Sequence, residues 1–329
     1  MAEEPPHPRD VFDYERGEVV EAAFLDALDS GRLHHAWLLC GAEGLGKATF
    51  AYRAARRLLG AAPDDRYGPL GTAPEEATSR LVSAQSHPDL MVLERQVEGG
   101  KLKKFISVDD ARALPEFFAK APSRSAYRVA IVDAADDMNV NAANAILKTL
   151  EEPPERGVLF LVAHAPGRLM ATIRSRCRRL TFQPWPEAAV ASFVARRAAV
   201  DGAEAAVLAG MAKGAPGRAL RLAGSKALEM DDTARSLVAG DPPPQAALQH
   251  LADSFRGPEG QGRFELFFER WAEAVRARIT GEGPPLRAVE RWAALWDRLS
   301  GAPGEADALN LDRADVFWSA LADLRALRT

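Results

Sequence analysis

Between Arg128 and Ala163 two short apolar runs flank a helix that prolines stop, and no other stretch limits the fold so sharply. The first run, Val129-Ala-Ile-Val132, is mostly β-branched and ends on Asp133. A run that short and apolar at every position suits a parallel strand buried on both faces, with the aspartate delivered to its carboxyl edge. The helix that follows contains Asn141-Ala-Ala-Asn-Ala-Ile-Leu-Lys-Thr-Leu-Glu-Glu152 and stops because Pro153 and Pro154 cannot continue it. Gly157–Ala163 repeats the strand pattern, and the segment closes on Ile173-Arg-Ser-Arg-Cys177. Strand, helix, strand at this spacing is a βαβ unit, and sites on such sheets lie beyond the carboxyl ends of the strands.

A second strand–turn–helix sequence lies upstream. His35–Cys40 reads as a buried strand, Gly41-Ala-Glu-Gly-Leu-Gly-Lys-Ala-Thr49 as a glycine turn, and the residues up to about Leu59 as a helix. Gly41, Gly44 and Gly46 would let backbone N–H groups cradle phosphates, and Lys47 would reach the β- and γ-phosphates. The next position should offer a hydroxyl to Mg²⁺. It is Ala48, and Thr49 comes one residue late, on the wrong side of the helix. Asp133 stands where a carboxylate would hold Mg²⁺ through water, but the water-activating Glu expected beside it is Ala134. Asp136 reads as a cap for the following helix. The plainer reading of the loop is a glycine turn that only packs helix on strand; the strand–turn–helix context favours the phosphate-binding fold. Two independent losses predict a site that does not hydrolyse nucleotide.

The rest of the chain supplies helices and boundaries. Val20, Phe24, Leu25 and Leu28 predict a helix over 18–30. A loop with one short helix at 75–84 leads to a strand at 89–93, and Ser107 caps a helix that turns Leu114, Phe117 and Phe118 inward. Arg178–Phe182 is a last strand. Pro184-Trp-Pro186 reads as a linker, and helices are expected at 187–200, 202–213 and 216–229. After a second linker at Asp241-Pro-Pro-Pro244 only helices are expected. Phe264, Leu266, Phe267, Trp271 and Val275 form one apolar stripe there, and Trp292, Leu295, Trp296 and Leu299 another.

Length and charge narrow the classes. A chain of 329 residues suggests about two domains, and a net charge of −4 lacks a basic nucleic-acid footprint. Only Cys40 and Cys177 occur, in different motifs, so neither a disulfide framework nor a zinc site is expected and both read as reduced thiols in a cytoplasmic protein. His34, His35 and His164 have no carboxylate or Cys at ligand spacing, so no metal site is assigned. No apolar run approaches the roughly 18 residues of a membrane span. The acidic, Pro-rich first ten residues read as a loose tail, not a signal peptide. Ser175-Arg-Cys177 sits in a basic run with Arg174, Arg178 and Arg179; the plain reading is a solvated loop, the functional one an arginine offered to a phosphate on another subunit. Gly214-Ala-Pro-Gly-Arg218 opens a helix with Arg218 in its first turn.

Taken together, His34-His-Ala-Trp-Leu-Leu, Gly-Leu-Gly-Lys47, Asn144-Ala-Ile-Leu-Lys-Thr-Leu-Glu-Glu-Pro-Pro154, Ser175-Arg-Cys177 and Gly214-Ala-Pro-Gly-Arg218 resemble, in order and spacing, the bacterial clamp-loader subunits of the AAA+ class. The resemblance covers about residues 15–225, and the damaged Walker motifs make the chain similar to the delta-prime subunits of DNA polymerase III. It implies an α/β fold in which a flexible tail (1–10) precedes an AAA+ P-loop core with a parallel sheet (11–184), a helical lid (185–240) and an all-α oligomerisation collar (241–329). It implies a stator in a hetero-pentamer with ATPase motor subunits and a delta-like wrench, in a DNA polymerase III holoenzyme that loads a sliding clamp on primed DNA. Arg176, within Ser175-Arg-Cys177, would be an arginine finger acting in trans. Gly41, Gly44, Gly46, Lys47, Thr49, Asp133 and the sensor-2 residue Arg218 would form a degenerate nucleotide site, holding ATP or ADP without hydrolysis. The sensor-1 position is Ala163 or His164 in place of Thr or Asn. Many relatives carry a four-cysteine zinc module after the P-loop helix; residues 60–100 have no cysteine, so no zinc is expected. The rivals are an active motor subunit of the same machine and a standalone P-loop enzyme.

Overall fold

The apolar runs pair as their patterns require. The computed structural model describes residues 5–98, 101–103, 105–257, 260–281 and 286–327. Its strands are β1 (Ala36–Cys40), β2 (Leu90–Glu94), a small hairpin of β3 (Val97–Glu98) and β4 (Lys101–Leu102), β5 (Arg128–Asp133), β6 (Gly157–Ala163) and β7 (Arg178–Thr181). Apart from the hairpin they form one parallel sheet in the order β2-β5-β6-β1-β7. β1 and β6 are buried along their whole length, as continuous apolar runs in a two-faced parallel sheet should be. The chain crosses from one side of the sheet to the other at β1, and the glycine loop follows its carboxyl end, the switch point where such sheets bind ligands.

Alternate residues serve the two faces. Trp37, Leu39, Ile131, Phe160 and Val162 pack with Phe24 and Phe50, which come from α1 (Glu18–Asp29) and α2 (Lys47–Leu58). Leu38, Val132 and Leu161 pack with Leu114 and Ile146 on the other face, from α4 (Val108–Phe118) and α5 (Val140–Glu151). Short helices α3 (Ala77–Ser83) and α6 (Ala171–Arg174) lie between these elements in the chain. Ser107 caps α4 by accepting from Asp110 N–H at 3.0 Å. This strand order, with the loop after β1, is that of an AAA+ P-loop core. Three helices complete the first compact unit, Met1–Gly224: α7 (Glu187–Ala198), α8 (Gly202–Ala212) and α9 (Pro216–Ala223).

Two boundaries differ from the sequence expectation. The helix expected over 216–229 ends at Ala223, where Gly224 caps it, and a new helix, α10 (Ala227–Ala239), starts beyond. Met230, Ala234, Leu237 and Val238 on α10 belong to the core of the second unit, Ser225–Thr329, so α10 is part of that unit. The second difference is at the amino end. Residues 1–4 lie outside the described residues, but Pro8–Asp10 form a 3-10 turn fixed to α2 and α3. Arg56 and Ser83 both donate to the Arg9 carbonyl, and Arg53 donates to that of Phe12. Two buried guanidinium groups need acceptors, and this segment's backbone supplies them. The expected loose tail is thus, from residue 8, tied by these hydrogen bonds to α2 and α3, although none of its residues 8–10 is itself buried.

The second unit is helical throughout: α10, α11 (Gln245–Ser254), α12 (Gly260–Thr280), α13 (Leu286–Leu309) and α14 (Arg313–Ala326). Phe255, Phe264, Phe267, Phe268, Trp271 and Phe317 meet at its centre, with Phe267 5.6 Å from both Trp271 and Phe317 between ring centroids. Such pairs contribute about 0.5–1.5 kcal/mol beyond the area they bury. Trp292 is buried and Trp296 half-buried against the same core.

Candidate functional site

The glycine loop is built from backbone that only glycine adopts freely. Gly41, Gly44 and Gly46 have φ of +146°, +82° and +82°. At all three the space is also taken: a Cβ on Gly41 would lie 2.7 Å from the Phe182 carbonyl oxygen, one on Gly44 2.6 Å from the Arg218 backbone nitrogen, and one on Gly46 2.7 Å from the Tyr14 ring. The Gly217 N–H donates to the Gly44 carbonyl at 2.8 Å, so the start of α9 rests directly on the loop. The Arg218 backbone therefore stands against Gly44, while Pro216, Gly217, Leu220 and Arg221 face the cavity above the loop; of the expected nucleotide residues, Arg218 and Gly41 are not in its lining.

That cavity has a volume of about 400 Å³, within the range of small-molecule sites. Gly44, Gly46, Lys47, Thr49 and Asp133 line its floor. Thr49, placed by sequence on the wrong side of the helix, is buried but does reach this wall. The other walls include Val11, Tyr14, Trp185, Phe193 and the proline-rich segment at 5–8, part of the expected tail. Their signal in the sequence was only a cluster of apolar and proline residues without periodicity.

Lys47 is 2% exposed, and its ammonium donates to the carbonyls of Gly41 and Ala42, each at 2.6 Å. Burial lowers its pKa to about 8, against the opposing charges of Asp133 and Glu43. Asp133 ends β5 opposite Glu94 on β2. Burial, and then the Glu94 charge, push its pKa up to about 6. Asp136 does not cap α5. Asn139 does, accepting from Ala142 N–H at 2.9 Å. Asp136 instead accepts from the backbone N–H groups of His164 and Ala165, the latter at 3.2 Å, and ties the end of β6 to that of β5. The His164 ring faces the same cavity, and its buried Nδ1 has no hydrogen-bond partner among the described residues.

These residues fit the base and sugar of a nucleotide by volume and by the apolar walls. They fit its metal and the attacking water less well: Ala48 has no hydroxyl for the metal, buried Ala134 has no carboxylate for the water, and two of the three Lys47 N–H donors are engaged by the loop's own carbonyls. Ion pairs between Arg221 and Glu43 (2.9 Å), Arg196 and Glu15 (2.8 Å), and Arg197 and Asp13 (3.2 Å) join the α7–α9 helices to the rim. All are largely exposed and are worth only about 0–1 kcal/mol each.

The Ser175-Arg-Cys177 motif lies elsewhere. In the sheet register Arg178 faces Trp37, at the amino end of β1, whereas the glycine loop leaves the carboxyl end after Cys40. At about 3.3 Å per residue the two are on the order of 13 Å apart along the strand. The Arg176 guanidinium points to the carboxyl end of α5, with Nη2 3.0 Å from Glu151 Oε1 and Nη1 donating to the Thr172 carbonyl at 3.0 Å. Its neighbours behave differently. Arg178 stacks over the Trp37 ring at 4.8 Å, and Ser175 bonds to the Thr172 carbonyl. Cys177 is half-buried against the core, and burial pushes its thiol up to about 12, so it is packing and not nucleophile. The structure therefore separates Arg176 and its two motif neighbours from the residues gathered around the cavity.

Residues 18–186, half of the chain, match the family described as DNA polymerase III, delta subunit. The DNA polymerase III subunit delta' of Pseudomonas aeruginosa is 34% identical over 248 residues, covering 75% of this chain and 73% of that protein. The subunit gamma/tau of Mycobacterium tuberculosis is 35% identical over 179 residues, 54% of this chain and 29% of that protein. A crystal structure of a gamma-subunit-related protein of DNA polymerase III from Thermotoga maritima has a TM-score of 0.48 at 16% identity, over 93% of this chain and 100% of that one. On the family match and the delta' relative, the chain belongs to the delta-prime family of DNA polymerase III clamp-loader subunits.

Proposed function

We propose that the chain is the stator of a clamp loader: a subunit that hydrolyses no ATP itself and offers Arg176 in trans to ATP held by a neighbouring motor subunit. The observation that carries this reading is the placement of Arg176 at the opposite end of β1 from the chain's own glycine loop, too far to serve a phosphate there. A guanidinium suits a trans role because it stays charged and can give two parallel hydrogen bonds to phosphate oxygens. Ala48 and Ala134 support the other half of the reading, since the metal and the attacking water would lack their protein partners. In this reading the cavity holds ATP or ADP at most as a static ligand, with Gly41, Gly44, Gly46, Lys47, Thr49, Asp133 and Arg218 around its phosphates. The partners are motor and wrench subunits in a cytoplasmic hetero-pentamer, joined through the C-terminal unit, and through that complex a sliding clamp and primed DNA.

The similarity to gamma/tau raises the alternative of an active motor subunit; the same two alanines count against it. Two measurements decide. The isolated chain should release phosphate no faster than its Lys47→Ala variant. In the assembled complex at saturating clamp and primed DNA, Arg176→Ala should slow ATP turnover at the site it serves by a factor approaching the roughly 10³ or more of other trans-acting arginines. Arg176→Lys should restore little. Turnover at the unmodified rate by Arg176→Ala complexes, with assembly intact by gel filtration, would sink the trans role.

A further inference from the structure

We propose that Glu151 is the positioning residue for Arg176. The inference rests on the trans reading above and adds a second residue to it. Glu151 is the last residue of α5, where the negative end of the helix dipole disfavours a carboxylate. Its Oε1 lies 3.0 Å from Arg176 Nη2, while Arg176 Nη1 is held by the Thr172 carbonyl four residues before it. The two contacts engage both terminal nitrogens and use two of the five guanidinium N–H donors. The other donors remain for an outside acceptor, and the side chain is 36% exposed. Among the described residues of the run Arg174, Arg176, Arg178 and Arg179, Arg176 is the one for which a carboxylate partner is found.

The physical consequence is preorganisation. An arginine loses much rotamer freedom when it is fixed on a partner. A side chain already oriented by Glu151 and Thr172 has given up that freedom before the neighbouring subunit arrives. The pair links Leu-Lys-Thr-Leu-Glu151 to Ser175-Arg-Cys177, two motifs that the sheet brings together at the amino end of β1.

The test uses the full assembled complex with saturating clamp and primed DNA. Glu151→Ala should lower kcat for ATP about two- to fivefold, the range of an exposed ion pair, and leave the KM for ATP unchanged. Glu151→Gln keeps an acceptor for Nη2 and should restore most of the rate. In an Arg176→Ala background, Glu151→Ala should have no further effect. Glu151 is half exposed, so its truncation leaves no cavity, and melting and elution volume should match the parent. A wild-type rate for Glu151→Ala while Arg176→Ala is slow would overturn the inference and leave the trans reading standing. So would an additive loss in the double variant, or a faster rate that marks Glu151 as a mask. If Arg176→Ala itself is without effect, the trans reading fails and takes this one with it.

Discussion

Replacing Arg53 should unsettle the whole amino-terminal edge of the first unit. Arg53 is 2% and Glu21 1% exposed, and Arg53 Nε lies 2.7 Å from Glu21 Oε1. The same guanidinium donates to the carbonyls of Phe12 and Tyr67, the latter at 2.6 Å, and Glu21 accepts from Leu70 N–H at 3.4 Å. One side chain on α2 thus holds α1, the 8–14 segment and the 64–71 loop, the region where a family resemblance would allow a zinc module. Arg53→Met leaves a buried carboxylate with one long hydrogen bond and two carbonyls without a donor. Removing one partner of a buried pair costs about 3–5 kcal/mol, and each orphaned acceptor adds to this without full additivity. We expect a loss of about 4 kcal/mol. The double variant Arg53→Met, Glu21→Leu removes both charges and should recover about half of it, the two carbonyls still being unpaired. Because the chain has two compact units, a single melting curve does not isolate this one. Hydrogen exchange of the α2 and 64–71 amides under rising urea does. A single variant within about 1 kcal/mol of the parent, or a double variant no better than the single, would refute the reasoning.

Two further outcomes follow from the structure. Asp133 has a folded pKa of about 6 against an ordinary 3.8, so between those values the folded state binds more protons than the unfolded one, and stability falls as pH rises through that window. Urea titrations at pH 4 and pH 7 should show the parent losing about 1–3 kcal/mol relative to Asp133→Asn, which carries no such charge; equal pH dependence would exclude a buried, ionised Asp133. A chain ending at Gly224 should fold as a soluble AAA+ core and lid, whereas one ending at Pro242 strands Met230, Leu237 and Val238 of α10 without their core. Light scattering and dye binding that find the longer fragment no more aggregation-prone than the shorter would show that α10 does not belong to the second unit.

What the sequence made legible was whatever its own period or a glycine enforces. Continuous apolar runs at 36–40, 129–132 and 157–163 have one stable use, inside a parallel sheet, and they are found there. The features it hid are those decided by side chains far apart in the chain. The 5–14 segment shows no periodicity because it is held by Arg53 and Arg56, some 40 residues on, and not by an apolar face of its own. Asp136 and Asn139 are both good capping types; only the position of the β6 end, which supplies two amides to Asp136, tells them apart. The triple proline at 242–244 reads as a domain linker, yet it joins α10 and α11 within one compact unit, whose edge at 224–225 is marked in the sequence only by a glycine.

The glycine loop shows how a motif can outlast part of its chemistry. Gly44 and Gly46 are required here by the fold alone: their backbone is left-handed, and Arg218 and Tyr14 pack where a side chain would begin. Lys47 likewise has acceptors in its own loop and needs no phosphate to be satisfied. These residues therefore report the architecture of the site whether or not it turns over nucleotide. The positions that report chemistry are those with no packing reason to be one residue and not another. A hydroxyl at 48 or a carboxylate at 134 would have to be stabilised by a metal or a water, and alanine at both removes the need for either. Arg176 is the converse case. It is partly exposed, adds little to the core, and is nonetheless held by a carboxylate and a carbonyl. Under the trans role proposed above, the donors left over on this side chain serve a phosphate held by a neighbouring subunit, and the functional weight falls on the amino end of β1 and not on the glycine loop.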